Sequence, residues 1–161
     1  TKESMFTILP HESELYRSAV NLRYRLLREP LELAFTEAEL LAEADQQHFA
    51  LVREAVVIAC VTAIQLSETR VKLRQMAVET EFQGQGFGGK LITATELYLS
   101  DQGIQGIELN ARETAIGFYD RLGYQAEGPR FIEISIEHQK MVKTLRIQGQ
   151  MGSLTPSPGL R

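Results

Sequence analysis

The sequence has 161 residues, of which 43% are hydrophobic and 24% are charged, and its formal net charge is -4 at pH 7. This length predicts one domain with a substantial core, and the composition is typical of a soluble globular protein. No apolar run approaches the ~18 residues that a membrane helix needs, and no basic block supports binding to nucleic acid. We therefore expect neither a membrane nor a nucleic acid among its partners.

The sequence contains one cysteine, Cys60, inside the apolar run VVIACVTAI. A lone cysteine excludes an internal disulfide, and the three histidines do not recur at the spacing of metal ligands. We therefore expect a buried, unreactive thiol and no metal. No secretory signal opens the sequence, which together with the unpaired thiol favours the cytoplasm.

The first part of the sequence predicts two helices and then three strands. Residues 12–28 place apolar residues at steps of three and four, which is typical of an amphipathic helix, and Pro30 ends it. Thr36 followed by Glu39 is a capping-box pattern that opens a short second helix reaching about Ala44. Three strands rich in Val and Ile follow over short connections, as in antiparallel hairpins: HFALVRE, AVVIACVTAIQL and RVKLRQMAVE.

The second part of the sequence alternates helices with strands. A helix follows a glycine-rich stretch and ends at Gly103, IQGIELNA is a strand, and residues 113–122 form another helix. In RFIEISIEHQKMVKTL, Ile132, Ile134 and Ile136 alternate with polar residues, which predicts one half-buried strand.

These elements predict a mixed α/β (α+β) fold with a mainly antiparallel sheet flanked by helices. RVKLRQMAVE and IQGIELNA are joined by a helix, and such a crossover returns the chain in the same direction, so we expect this strand pair to be parallel. We assign residues 1–146 to a single domain. Residues 147–161 show little apolar periodicity, and we expect them to be a flexible tail.

The stretch QGQGFGGK, residues 83–90, matches three motif templates. Gly84, Gly86 and Gly89 match the dinucleotide fingerprint G-x-G-x-x-G. Gly84, Gly89 and Lys90 match most of the P-loop pattern G-x-x-x-x-G-K-[ST]. Gln83, Gly86 and Gly88 match a third pattern, Q-x-x-G-x-G. Each template places backbone N–H groups around an anion at a helix start, so the glycines alone predict only an anion site. They are Gly84, Gly86, Gly88 and Gly89.

The surrounding residues weigh against two of these templates. A dinucleotide fingerprint follows a strand that is buried on both faces, whereas Lys72, Arg74 and Gln75 interrupt RVKLRQMAVE. Leu91 stands where a P-loop needs a Ser or Thr hydroxyl for Mg²⁺. A purely structural use of the glycines, in a tight turn, stays open.

Two blocks, MAVETEFQGQGFGGKLI and NARETAIGFYDRLGYQAEG, resemble the diagnostic motifs of the GNAT (general N-acetyltransferase) superfamily in type, order and separation. With the element order, the resemblance covers residues 5–145, and LRYRLLREPL and RFIEISIEHQKMVK resemble a branch of small bacterial acetyltransferases. The resemblance implies that acetyl-CoA is a co-substrate and that a primary amine attacks it directly in a ternary complex. It also implies that the parallel strand pair splays apart at the cofactor.

The resemblance further implies how the cofactor is held. Backbone amides of the glycine stretch would bind the pyrophosphate, with Lys90 assisting, and the amide of Val78 would polarise the thioester carbonyl. The family often has Arg or Lys where this sequence has Gln83 and Gln85. The implied cofactor-binding residues are Met76, Val78, Gln83, Gly84, Gln85, Gly86, Phe87, Gly88, Gly89, Lys90, Asn110 and Tyr119.

In the same way, the resemblance implies Tyr119 as the general acid that protonates the departing thiolate. By spacing alone, Phe118 and Tyr119 equally suit a core aromatic pair. The general base is open, because Lys72 occupies the strand position that carries an acidic base in some members of the family. A bound water is one alternative, and the candidate side chains are Glu108, Glu133 and His138.

Other functions and roles also stay open. A non-catalytic acyl-CoA sensor would use the same fold without turnover, and a dinucleotide-binding oxidoreductase would use the same glycines. Arg23, Arg25 and Arg28 suit either a substrate entrance or an ordinary solvated helix face. We also leave open whether the chain forms a homodimer.

Overall fold

The structure, a computed structural model, describes residues 3–145. The tail predicted over 147–161 lies outside the described residues. The strands are β1 Met5–Ile8, β2 Gln47–Arg53, β3 Val56–Gln65, β4 Arg70–Val78, β5 Gly106–Arg112, β6 Gln125–Ala126, β7 Phe131–Glu133 and β8 Ile136–Thr144. The α-helices are α1 Glu14–Arg23, α2 Glu37–Ala42, α3 Phe87–Asp101 and α4 Ile116–Arg121.

The strands follow one another in the order β1-β2-β3-β4-β5-β8-β6, with β7 beside β8. The pairs β1/β2, β2/β3 and β5/β8 are antiparallel, and β4 and β5 are the parallel pair expected from the helical crossover. The predicted mixed, mainly antiparallel fold is therefore confirmed. Within residues 3–145, no helix is long and apolar enough to cross a membrane.

The described residues divide into two compact units, the first formed by residues 3–64 with Leu73–Thr95 and the second by Gln65–Lys72 with residues 96–145. In the first unit, β2 and β3 form a hairpin whose apolar residues are buried. Its core joins residues of α1 to residues of the strands and to Leu9, which follows β1: Leu9, Tyr16, Ala19, Leu22, Ala50, Val57, Cys60 and Ala77.

Cys60 is buried in this core, as the sequence predicts, and its thiol lies 3.8 Å from the carbonyl oxygen of Ala19. Burial raises the pKa of the Cys60 thiol to about 12. The side chain is therefore a protonated, weakly nucleophilic part of the core in the folded state.

The start of the chain differs from the predicted single helix over 12–28. Ser13 caps α1, but the α-helix stops at Arg23 and continues as a π-helical turn, Tyr24–Arg28, and a short 3₁₀ turn that contains Pro30. The capping box of α2 is confirmed, because the side chains of Thr36 and Glu39 each accept the other's backbone N–H at 3.0 Å.

A buried polar network fastens α1 to the strands of the first unit. Arg23, which is 1% exposed, donates to both carboxylate oxygens of Glu43 at 2.9 and 2.6 Å, and the Tyr16 hydroxyl donates to the same carboxylate at 2.7 Å. His48 lies 3.0 Å from both the Glu43 carbonyl and the Thr62 hydroxyl. The carbonyl accepts only, so Nε2 of His48 carries the proton and Nδ1 accepts from Thr62.

This network sets the charges of its members. Burial lowers the pKa of His48 and holds the ring neutral. Burial alone would raise the pKa of Glu43, but the hydrogen bonds and charge of Arg23 together with the hydrogen bond from Tyr16 outweigh it and lower that pKa. The folded state therefore holds a neutral imidazole beside an ion pair.

In the second unit, β8 pairs with β5 from Thr144 opposite Gly106 to His138 opposite Arg112. The single strand predicted across RFIEISIEHQKMVKTL is wrong, because β7 and β8 form a hairpin there. Its turn residues, Ile134 and Ser135, take positive φ angles of 45° and 64°. Two-residue hairpin turns of this kind usually contain Asn or Gly, so the sequence gives no signal for this one.

Because the chain reverses between β7 and β8, the isoleucines before the strand β8 are more exposed than predicted. Ile132 and Ile134 are 69% and 40% exposed, whereas the alternation in the sequence predicted one half-buried face. The helix predicted over 113–122 is present as a 3₁₀ turn, Glu113–Ala115, followed by α4.

Candidate functional site

The glycine stretch forms a loop that opens α3 in the first unit. Gly84 and Gly86 have φ angles of 76° and 89°, and a Cβ at either position would meet no atom within 4 Å. Glycine is therefore required by the backbone conformation, and the space above the loop is open. The carbonyl oxygen of Gly86 accepts the first helical bond, from the amide of Lys90, at 3.0 Å. The N–H groups in the first turn have no acceptor within the helix; they belong to Phe87, Gly88 and Gly89.

Two glutamine side chains stiffen this loop. The amide of Gln83 donates to the carbonyl oxygen of Val78 at 2.9 Å, and that of Gln85 donates to the carbonyl oxygen of Glu81 at 2.8 Å. Both bonds tie the loop to its own backbone. The two residues that replace the family's usual cations therefore support the loop conformation without adding positive charge.

Lys90, which we expected to assist at the phosphates, is engaged elsewhere. Its ammonium donates to the hydroxyl and the carbonyl oxygen of Ser4 at 2.9 and 3.3 Å. Its contact with a phosphate stays a prediction, as does anion binding by the backbone amides of the loop.

The end of β4 leads into this loop. Met76 and Val78 are half-buried there, and Gln75 before them has a positive φ of 60°. A left-handed residue within a strand is typical of a bulge, which re-aims the neighbouring backbone groups. Sequence analysis missed this feature, because nothing in LRQMAV distinguishes Gln75 from its neighbours.

Arg53, the last residue of β2, was also missed. Its guanidinium carbon lies 5.2 Å from the ring centroid of Phe82 and 5.4 Å from that of Phe87, the two phenylalanines that flank the loop. No local pattern links residues so far apart in the sequence. Only the folded chain reveals a cation at this place.

The three arginines near the start of the chain each pair with a carboxylate. Besides the Arg23–Glu43 pair, Arg25 donates to both oxygens of Glu79 at 3.0 and 3.2 Å, and Arg28 donates to Glu39 at 3.3 Å. The hydrogen bonds from Arg25 lower the pKa of Glu79. This pairing favours a structural role for the arginines over a substrate entrance.

Tyr119 lies on α4 in the second unit and is 6% exposed. Its ring packs edge to face against Phe118 and Tyr124, with centroids 4.9 and 5.6 Å away. Burial raises the pKa of Tyr119 above its ordinary value, so the phenol keeps its proton at neutral pH. The side chain is thus both part of an aromatic cluster and a protonated hydroxyl.

Glu108, one candidate base, lies on β5 among cations. One of its carboxylate oxygens is 3.3 Å from the Arg70 guanidinium and 3.9 Å from the Lys140 ammonium. Asn110, two residues further along β5, is half-buried opposite Lys140. The surroundings of Glu108 are typical of an ion-pair cluster on a sheet face.

His138, the other candidate base, lies on β8 and is 4% exposed. Its Nδ1 is 2.7 Å from the carbonyl oxygen of Ile136, and its ring stacks on Phe131 at 5.8 Å. The carbonyl only accepts, so Nδ1 carries the hydrogen and the neutral ring keeps its lone pair on Nε2. That nitrogen lies 3.9 Å from a carboxylate oxygen of Glu133, the remaining candidate.

Across residues 3–145, no three His, Cys, Asp or Glu side chains cluster as metal ligands do. His11, for example, hydrogen-bonds to the carbonyl oxygen of Leu40 at 2.8 Å.

Known proteins share both the sequence pattern and the fold. A family model described as an acetyltransferase (GNAT) domain matches residues 29–145. An uncharacterised acetyltransferase from Streptococcus pyogenes serotype M1 is 33% identical over 82 residues, which are 50% of this chain and 58% of that protein. The chain therefore aligns with just over half the length of that relative.

Two solved structures have the same fold. An acyl-CoA N-acyltransferase from Pseudomonas aeruginosa superimposes with a TM-score of 0.74 at 19% identity, over 87% of this chain and 99% of that one. An aminoglycoside 6'-N-acetyltransferase complexed with coenzyme A gives 0.73 at 18% identity, over 87% and 96%. Likeness at these identities shows the fold, while the family model covers most of the sequence. On these grounds the chain belongs to the GNAT acetyltransferase family.

Proposed function

We propose that the protein transfers the acetyl group of acetyl-CoA to a primary amine by direct attack in a ternary complex. The observation that carries this proposal is the glycine loop at the start of α3. Its left-handed glycines leave open space above the backbone, and the first-turn N–H groups have no acceptor within the helix. These donors and the positive end of the helix dipole suit the CoA diphosphate. The cofactor's thioester supplies the activated acetyl group.

We further propose that Tyr119 is the general acid. The amine nitrogen attacks the thioester carbon and gives up a proton to the base, the carbon–sulfur bond breaks, and the sulfur takes the phenolic proton. Solvent then returns a proton to the phenolate and removes the one held by the base. A donor must be protonated before the reaction, and a tyrosine hydroxyl meets this condition at neutral pH. Burial raises the pKa of Tyr119 further and so makes the phenol a weaker acid, which means that the proposal rests on its match to the family position and not on the pKa.

For the general base we propose His138 over Glu108. The Ile136 carbonyl fixes the hydrogen on Nδ1, so Nε2 can accept a proton from the amine, directly or through one water. In contrast, Arg70 and Lys140 already engage the carboxylate of Glu108.

The experiment that tests the proposed function uses two glycines with the same strain. Gly86 and Gly103 both have left-handed φ angles, 89° and 91°, and a Cβ at either would meet no atom within 4 Å. Replacing either with Val introduces the same backbone conflict, of roughly 1–2 kcal/mol. We expect Gly86→Val to lose CoA binding by calorimetry, and Gly103→Val to lose comparable stability while retaining CoA affinity. Equal CoA affinity in the two variants would contradict the loop assignment.

Turnover is then measured as CoA release with a panel of primary amines. The panel includes aminoglycosides, because one protein of the same fold acts on them. We expect release with at least one amine. Thermal stabilisation by acetyl-CoA without release on any amine would instead favour the non-catalytic sensor.

A further inference from the structure

Arg53 contacts both aromatic residues that flank the glycine loop. Phe82 ends the turn before the loop and Phe87 begins α3 after it. The two rings pack edge to face, with centroids 5.6 Å apart and planes at 90°. The guanidinium carbon of Arg53 lies within 5.4 Å of either centroid, inside the ~6 Å range of a cation–π contact. The three side chains form one cluster, which we call the loop clamp.

The backbone that carries Arg53 is itself firmly placed. Arg53 pairs with Val56 across the β2–β3 hairpin, and the two turn residues between them take φ angles of 51° and 65°. A two-residue turn fixes the register of its strands. The clamp therefore connects the loop to the turn end of the β2–β3 hairpin.

The position of the two rings determines what the clamp can do. Four residues separate them, and two of these, Gly84 and Gly86, lack a side chain that could restrict the backbone. The side-chain bonds of Gln83 and Gln85 restrain the loop in part. Whatever conformational freedom remains is lost when the loop binds a ligand, and that entropy loss weakens binding. Holding both ends of the loop in place reduces this loss.

We propose that Arg53 is a positioning residue that holds the glycine loop in its diphosphate-binding conformation through Phe82 and Phe87. The inference rests on the proposed function, because it assumes that the loop binds CoA. In this proposal, Arg53 acts on the loop through its cation–π contacts with the two aromatic rings that flank it.

The test compares Arg53→Ala with Arg53→Lys, which keeps a cation over the rings. The control is Arg17→Ala, because Arg17 is an exposed arginine of the same unit that pairs with Glu12. We expect Arg53→Ala to raise the CoA dissociation constant and the KM for acetyl-CoA by about 5- to 30-fold, the size of two cation–π contacts. The kcat at saturation should stay within about twofold, since the clamp touches no reacting group. Arg53→Lys should recover most of the affinity, and Arg17→Ala should match the wild type.

A second donor separates positioning from general destabilisation. S-acetylpantetheine has no diphosphate, so its kcat/KM should be the same in the wild type and in Arg53→Ala. Phe82→Leu keeps the arginine but removes one ring. It should also raise the KM for acetyl-CoA, by a smaller factor, and leave kcat/KM for S-acetylpantetheine unchanged. This variant keeps the inference testable if Arg53→Ala does not fold.

The outcomes are distinguishable. If the wild type does not bind CoA, the proposed function fails and this inference fails with it. If the wild type binds CoA and Arg53→Ala binds it within twofold as well, only the inference is wrong. An equal loss with S-acetylpantetheine, or a lower melting temperature with unchanged CoA affinity, would also overturn it.

Discussion

Single side chains in this protein combine packing with chemistry, and Tyr119 is the clearest example. Its ring packs in an aromatic cluster with Phe118 and Tyr124, while its buried hydroxyl is the group that we propose as the general acid. A substitution must therefore remove the hydroxyl and keep the ring if it is to separate the two roles.

Tyr119→Phe makes this separation. General acid catalysis contributes about 10²–10⁴-fold, so kcat should fall within that range while the KM for acetyl-CoA changes much less. Tyr124→Phe is the matched control, because its buried hydroxyl donates to Glu96 at 2.8 Å and takes no part in the proposed reaction. Steady-state kinetics of both variants provide the measurement. Nearly full turnover in Tyr119→Phe, with chemistry rate-limiting, would make Tyr119 a packing residue.

The two candidate bases are separated by His138→Gln and Glu108→Gln. If His138 accepts the proton, His138→Gln should lower kcat/KM by roughly 10²-fold or more. Glu108→Gln should retain most of the activity, because that carboxylate serves Arg70 and Lys140. The measurement is kcat/KM of both variants. A larger loss in Glu108→Gln than in His138→Gln would transfer the role of the base to Glu108.

At the residue scale, the sequence revealed types of side chain but not their partners. Arg23 and Arg25 look alike in LRYRLLREPL, yet the side chain of Arg23 is 1% exposed and that of Arg25 is 40% exposed. Their carboxylate partners lie 20 and 54 residues away in the chain. Burial that depends on such distant partners cannot be inferred from local spacing.

At the element scale, a clear apolar period or a clear capping pattern was sufficient to predict a helix or strand. The capping box of α2, the helix after the glycines and the parallel pair of β4 and β5 were predicted correctly. Short or irregular elements were missed: β1 has four residues and β6 has two, which is too few for a periodic signal. The β7–β8 turn was missed because Ile134 and Ser135 are unusual residues for their backbone angles.

That turn predicts a stabilising change. A β-branched residue at a positive φ is strained, and left-handed backbone costs roughly 1–2 kcal/mol for residues other than glycine. Replacing Ile134 and Ser135 with Asn and Gly should therefore raise the free energy of unfolding by about 1 kcal/mol or more, or the melting temperature by about 2–4 °C. Calorimetry measures this directly. A lower melting temperature would mean that contacts of Ile134, which is 40% exposed, outweigh the strain.

At the scale of the whole molecule, stability depends on the buried network around Glu43. Burial lowers the pKa of His48 in the folded state, so below the ordinary histidine pKa of ~6.5 the unfolded chain binds a proton that the folded chain does not. Burial raises the pKa of Glu43, but Arg23 and Tyr16 together lower it below its ordinary value. The unfolded chain therefore also takes up a proton near pH 4 that the folded chain does not bind. Both groups therefore destabilise the fold as the pH falls.

We expect the free energy of unfolding to decrease below about pH 6.5, with a slope of at most ~1.4 kcal/mol per pH unit for one proton, and to decrease more steeply near pH 4. Urea titrations from pH 8 to pH 4 measure this slope. His48→Asn removes the titrating ring, so its curve should be flatter between pH 6.5 and pH 5. The same slope in wild type and variant would show that other groups control acid stability.

The lone thiol of the core has a practical consequence for enzymology. CoA release is commonly followed with aromatic disulfide reagents that react with thiolates, and an accessible protein cysteine adds a background signal. The buried Cys60, with its pKa raised to about 12, should remain silent in the folded chain, so colour development reports product alone. When the chain opens, the same sulfur should react once per molecule. One reagent then counts turnovers under native conditions and unfolded molecules under denaturing ones.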